Sequence, residues 1–163
     1  MMNLDLIFPE IYLSLSIMFL LMIGVFKKNS ELLVYNLSVI TLIVLLSLVV
    51  NLFSINETLI FNESYKIDNL SSFMKSLTII SGIFVMISSS AYLKTLKILK
   101  IEYPILILSS ILGMMVMISS YDLIVFYIGL ELQSLALYVL ASFDRDKISS
   151  SEAGLKYFIL SAL

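Results

Sequence analysis

Cysteine and histidine are both missing from the 163 residues. Without thiolate or imidazole, the chain has no ligands for thiolate-held iron–sulfur clusters, histidine-ligated haem or the usual zinc sites. Redox chemistry must therefore belong to partners, and the redox compartment goes unread. Without histidine, proton handling near neutral pH falls to Glu, Asp, Lys, Tyr and water. Charge is scarce: 13% of residues against about 25% in a soluble domain. The net charge of −2 and the lack of a basic patch argue against a nucleic-acid partner. Low-complexity tracts, interdomain linkers and repeats of 20–50 residue period are absent as well. What remains is apolar. Hydrophobic residues make up 60% and mean hydropathy is +1.06, where soluble domains run to about 45–50% apolar. These numbers describe a single membrane domain, residues 1–163.

The fold class expected is an all-α polytopic membrane protein, with about five spans and the start of a sixth. The helices are expected near residues 6–26, 32–53, 70–92, 104–119, 123–143 and 149–163. The first begins acidic, with Asp5 and Glu10, and is long enough to span, unlike a secretory signal. Pro9 fits its first turn, where a missing donor costs nothing, and Lys27-Lys28 closes it. Glu10 reads as a solvated or interfacial side chain. Asn36, Ser38, Thr41, Ser47 and Asn51 of the second helix read as interhelical contacts. A polar loop follows, Asn56–Asn69. Lys75 lies one turn inside the third helix and reads as a snorkelling side chain. The methionines of the fourth helix, Met114, Met115 and Met117, read as core filler. Tyr121-Asp122 turns the chain into the fifth.

Loop charge alternates. Lys27-Lys28, Lys94–Lys100 and Asp144–Lys147 carry the cations, whereas Asn56–Asn69 is mostly acidic. The positive-inside rule puts the three basic loops on the cytoplasmic or matrix side and the amino terminus outside.

Glu131 is the first candidate for chemistry. It sits near the middle of the fifth helix, and a charge at a membrane centre costs roughly 2.5–3.5 kcal/mol on insertion scales. Tyr127, Glu131, Ser134 and Tyr138 fall at i, i+4, i+7 and i+11 and share one helix face, which Ser142 extends. The plainer alternative is a buried carboxyl that only locks helix packing. Lys156 is second, one turn beyond Glu152 in the favourable order for an i, i+4 pair. Alone, it reads equally as a snorkelling lysine. Ser149 with Glu152 reads as a capping box.

GLELQSLALYVL and SSEAGLKYFILSAL resemble subunit 2 of respiratory NADH:ubiquinone oxidoreductase (complex I), one of its antiporter-like membrane subunits. FPEIYLSL, LLMIGVF, IDNLSSFMK and EYPILILSSILGMMVMISSYDL extend the likeness over essentially the whole chain. Sister subunits and cation/proton antiporters usually frame the same glutamate with Trp-Glu. The resemblance implies two inverted five-helix repeats with broken helices near the midplane. It also implies a proton relay through Glu131, Lys156 and Glu152, in which Glu131 pairs with a lysine on the seventh helix. NADH, FMN, iron–sulfur clusters and ubiquinone would belong to partner subunits, with no cofactor in this chain. Other complex I membrane subunits and lipids are the implied partners, in the mitochondrial inner membrane or a bacterial plasma membrane.

The family continues for roughly eight more helices, and the lysines expected on helices seven, eight and twelve are not here. A split subunit, completed by a second polypeptide that begins beside the Leu163 carboxylate, is the expectation. Two other functions stay open: part of a stand-alone cation/proton antiporter, or a structural half-subunit with no pathway role.

Overall fold

The structure is a computed structural model that describes residues 6–27, 30–54, 58–61, 63–95, 100–144 and 147–162. Asp5, Lys28, Asn56, Glu57, Lys97, Arg145, Asp146 and the Leu163 carboxylate, all used above, lie outside the described residues.

Among the described residues, six α-helices follow one another: α1 Phe8–Phe26, α2 Glu31–Val50, α3 Asn69–Thr95, α4 Glu102–Ile118, α5 Leu123–Ala141 and α6 Ile148–Ala162. Four of them, α1, α2 (with the 3-10 turn that extends it), α3 and α5, are long and apolar enough to cross a membrane. α4 is shorter, at 17 residues, and about 25 Å at the helical rise. It occupies the middle of the bundle, packed on α1, α2, α3 and α5. Its buried residues, among them Leu108, Ile111 and Met115, join Leu13 and Leu20 of α1, Leu42 and Leu45 of α2 and Ile79 and Met86 of α3 in one core. The outward faces stay apolar: Val25, Phe26, Leu123 and Ile124 are among the most exposed side chains. Helices greasy on every side belong in lipid. The chain is a multi-pass membrane protein.

The expected polar loop has structure of its own. α2 runs to Val50 and continues through a 3-10 turn, Asn51–Ser54, so the helical span reaches Phe53. Two short strands, β1 Thr58–Ile60 and β2 Tyr65–Ile67, pair antiparallel. The hairpin lies across the end of the bundle. Lys66 N donates to Ser119 O at 2.8 Å and Tyr121 N to Ser64 O at 3.0 Å, so it is tied to the α4–α5 turn. Leu6, Ile60, Tyr65 and Ile67 form a small second core beneath it.

α3 begins with a reciprocal cap. Asp68 Oδ1 accepts from Ser71 N at 2.7 Å, and Asp68 N donates to Ser71 Oγ at 2.9 Å. The Ser71 amide, with help from Lys66, holds the Asp68 carboxyl below the ordinary carboxylate range. The capping box expected at Ser149 is not what α6 uses. α6 starts one residue earlier, at Ile148, which leaves Ser149 inside the first turn. The Glu152 carboxylate pairs with Lys156.

Candidate functional site

Two groups of ionisable side chains stand apart in the bundle. One is the face predicted on α5. The other was not foreseen.

Glu131 is the only charged residue of α5, near its middle. α5 packs on α4 through very small groups. A Cβ added at Gly129 would lie 2.8 Å from Met117 N and 2.9 Å from Gly113 O. One added at Gly113 would lie 2.6 Å from Gln133 N. The two helix backbones therefore touch along Gly129, Gln133 and Ala136. Glu131 follows Gly129 by two residues, roughly 200° around the helix. Its face is the one turned away from α4.

Along that face, the side chains do different things. The Tyr127 hydroxyl hydrogen-bonds to the Glu131 carboxylate. Ser134 Oγ donates to Leu130 O at 2.8 Å, and Ser142 Oγ donates to Tyr138 O at 3.2 Å. Both serines are satisfied by their own helix, so neither is a free polar group for Glu131. Tyr138 packs edge-on against Tyr157 and Phe158 of α6, at 5.1 and 5.8 Å between centroids. Gly154 lets α6 approach, since a Cβ there would lie 2.6 Å from Ser142 Cβ. α6 thus covers the end of the stripe near Ser142. Glu131 is half-buried, and Tyr127 is exposed.

Lys156 and Glu152 form the expected i, i+4 pair, at 2.6 Å and well exposed in this chain. The antiparallel register puts Lys156 roughly 13 Å along the axis from the level of Glu131. The structure brings Lys156 to Glu152 and not to Glu131. Exposed pairs of this kind contribute about 0.3–0.5 kcal/mol. Glu152→Gln is therefore expected to leave the melting temperature nearly unchanged, and a drop of many degrees would show a buried role. A cavity of about 410 Å³ opens beside this pair, lined by Glu102, Tyr138, Ser142, Ser151 and Phe158 among others.

The second group corrects two expectations. Glu10 is not solvated and Lys75 does not snorkel. They are 6% and 1% exposed and form an ion pair of 2.6 Å. Tyr65, from β2, donates its hydroxyl to the same Glu10 oxygen, Oε1, at 2.8 Å. Lys75 Nζ lies 3.3 Å from the Tyr65 hydroxyl and 5.2 Å from its ring centre. The hairpin is what makes the difference. It packs over that end of the bundle, and both charges turn inward and meet beneath it. Burial and the neighbouring Glu10 charge push the Tyr65 phenol far up, so it stays a donor.

A family model described as "NADH:quinone oxidoreductase/Mrp antiporter, TM" matches residues 120–163, the α5–α6 segment just described. NADH-quinone oxidoreductase subunit N of Pelagibacter ubique is 65% identical over 161 residues, 99% of this chain and 34% of the relative. The chain is similar to this relative along nearly its whole length and spans about a third of the relative's own. Subunit N of Bartonella bacilliformis is 47% identical over 99% of the chain and 33% of the relative. A chain of the respiratory complex I of Thermus thermophilus with bound aureothin has the same fold, with a TM-score of 0.78 at 22% identity. The match covers 94% of this chain and 33% of that one. The fold is therefore that of the matched third of this complex I chain. These subunit N relatives are bacterial and carry the letter designation. They give no support to a mitochondrial placing or to the name subunit 2.

Proposed function

We propose that this chain is part of the proton-translocating membrane arm of an NADH-quinone oxidoreductase. The observation that carries the reading is Glu131, a lone carboxylate at mid-span on the α5 face turned away from α4. Desolvation favours the neutral acid and a nearby ammonium favours the anion. A carboxyl held between these two pulls can take or give a proton when its partner's charge changes. Its ammonium partner would come from the part of the subunit N fold that lies beyond this third, facing the open Tyr127–Glu131 stretch. A second polypeptide or a continuation of the same one would supply it, and the mass of the subunit in the purified complex separates the two.

Lys156 and Glu152 would link Glu131 to the α5–α6 end through intervening groups, beside the cavity lined by Glu102 and Ser142. NADH, FMN, iron–sulfur clusters and quinone would sit in partner subunits. Their redox work would reach this chain as a change of charge. The membrane is the bacterial plasma membrane in this reading. The end with Lys27, Lys94, Lys100 and Lys147 faces the cytoplasm.

Glu131→Gln keeps the shape and removes the titratable group. Proton pumping per NADH oxidised is expected to fall about tenfold or more, in keeping with the size of proton-transfer effects, while the subunit still assembles. Normal pumping would leave only a structural role. The antiporter reading has one observation behind it, the Mrp antiporters in the matched family's description. Sodium-coupled exchange in vesicles that lack NADH oxidation would favour it.

A further inference from the structure

The Glu10–Lys75–Tyr65 cluster lies at the other end of the bundle from Lys156 and plays no part in the relay above. A buried ion pair is a weak device for stability. Desolvating both charges costs about as much as their attraction returns, and apolar replacements of similar volume are often neutral or better. Its arrangement points to something else. Both donors, the Lys75 ammonium and the Tyr65 hydroxyl, converge on Oε1 of Glu10. Oε2 of the same carboxylate is buried and has no hydrogen-bond partner among the described residues. Ser119, at the end of α4, is also buried and lies beside the Tyr65 hydroxyl. A clamp would spend both oxygens on donors. Here one oxygen is held in place and the other keeps its lone pairs.

We propose that Glu10, Lys75 and Tyr65 form a second proton-exchange site, at the hairpin end of the bundle, with Glu10 Oε2 as the atom that takes the proton. An O–H bond forms at Oε2 with a proton drawn from water at that face. The carboxylate charge is lost and the pair passes from neutral to a net +1 on Lys75. No electrons move, and return of the proton to water restores the ion pair. Tyr65 stays protonated throughout and donates to Oε1, which fixes the carboxyl plane.

Among the described residues, the ion-paired or capped charges at this end do not compete for this role. α1 contributes Glu10 and α3 Lys75. Lys66 and Asp68, at the hairpin–α3 junction, pair with each other at 3.0 Å. Asp122, at the start of α5, accepts from its own helix at Ile124 N, 3.4 Å away. Glu10 lies in the first turn of α1, so the site is about one helical turn from the bundle end.

Infrared difference spectra between acidic and alkaline buffer test this on the purified membrane assembly that contains the chain. The readout needs neither NADH nor pumping, so it stands or falls apart from the function proposed above. The expected result is a protonated-carboxyl band on acidification that Glu10→Gln removes and Tyr65→Phe shifts. Superimposable spectra for the wild type and Glu10→Gln would overturn the proposal. If Glu10→Gln alone fails to assemble, the paired variant Glu10→Gln/Lys75→Met removes both charges. The same band must then be missing from it, and its persistence would overturn the proposal equally.

Discussion

Lys75→Met is expected to destabilise the bundle by about 3–5 kcal/mol, the usual cost of removing one partner of a buried pair. The lysine is 1% exposed and its only anionic partner among the described residues is Glu10, itself 6% exposed. Methionine fills most of the space but leaves a carboxylate in oil with one hydroxyl donor. The cost comes from the stranded charge, and not from lost packing. The paired change Glu10→Leu/Lys75→Leu should therefore recover most of the loss, because no uncompensated charge remains. Melting temperatures in detergent, read for the single and paired variants, decide the matter. A single variant within about 1 kcal/mol of wild type, the ordinary size of a surface change, would mean that the carboxylate has another partner or is already neutral.

That pair also shows where reading the sequence stops. The helices themselves were legible, because long apolar runs bounded by charge and by Pro9 or Pro104 leave few alternatives. Glu131 was legible too, since one carboxylate in an otherwise apolar α5 stands out by its cost. Lys75 was seen as a lysine one turn inside a helix. Its fate depended on what packs over that end of the bundle. The answer lay in a hairpin whose strands are only three residues each, with no strong alternation to announce them. Glu10 and Lys75 are 65 positions apart, so no local period could join them. The one available signal was that two opposite charges sit within the first two turns of spans that start on the same side. The stripe on α5 is one face by spacing, yet Ser134 and Ser142 turn back to their own helix. Spacing fixes which side a serine lies on and says nothing of where its hydroxyl goes.

Gly129→Ala should be among the most damaging single methyls in the described residues. The added Cβ would meet Met117 N at 2.8 Å and Gly113 O at 2.9 Å, roughly 0.5–1 Å inside ordinary contact. Both obstacles are backbone atoms of α4, which cannot rotate out of the way. α5 must move as a body, and Glu131 moves with it because it lies two residues along the same helix. Overpacking of this kind costs about 1–3 kcal/mol, and a rigid obstacle puts the change at the upper end. Gly24→Ala is the control. Its added Cβ would come closer still, but to Cγ2 of Ile101, a side-chain methyl that another rotamer can withdraw. Gly129→Ala is expected to lose several degrees of melting temperature and most pumping, and Gly24→Ala little of either. The glycine in the Gly-Leu-Glu motif is on this account a backbone contact that sets the height and angle of the glutamate. Equal behaviour of the two variants would sink that account, and would shift the search for what positions Glu131 from the α4–α5 seam to the face that carries Tyr127.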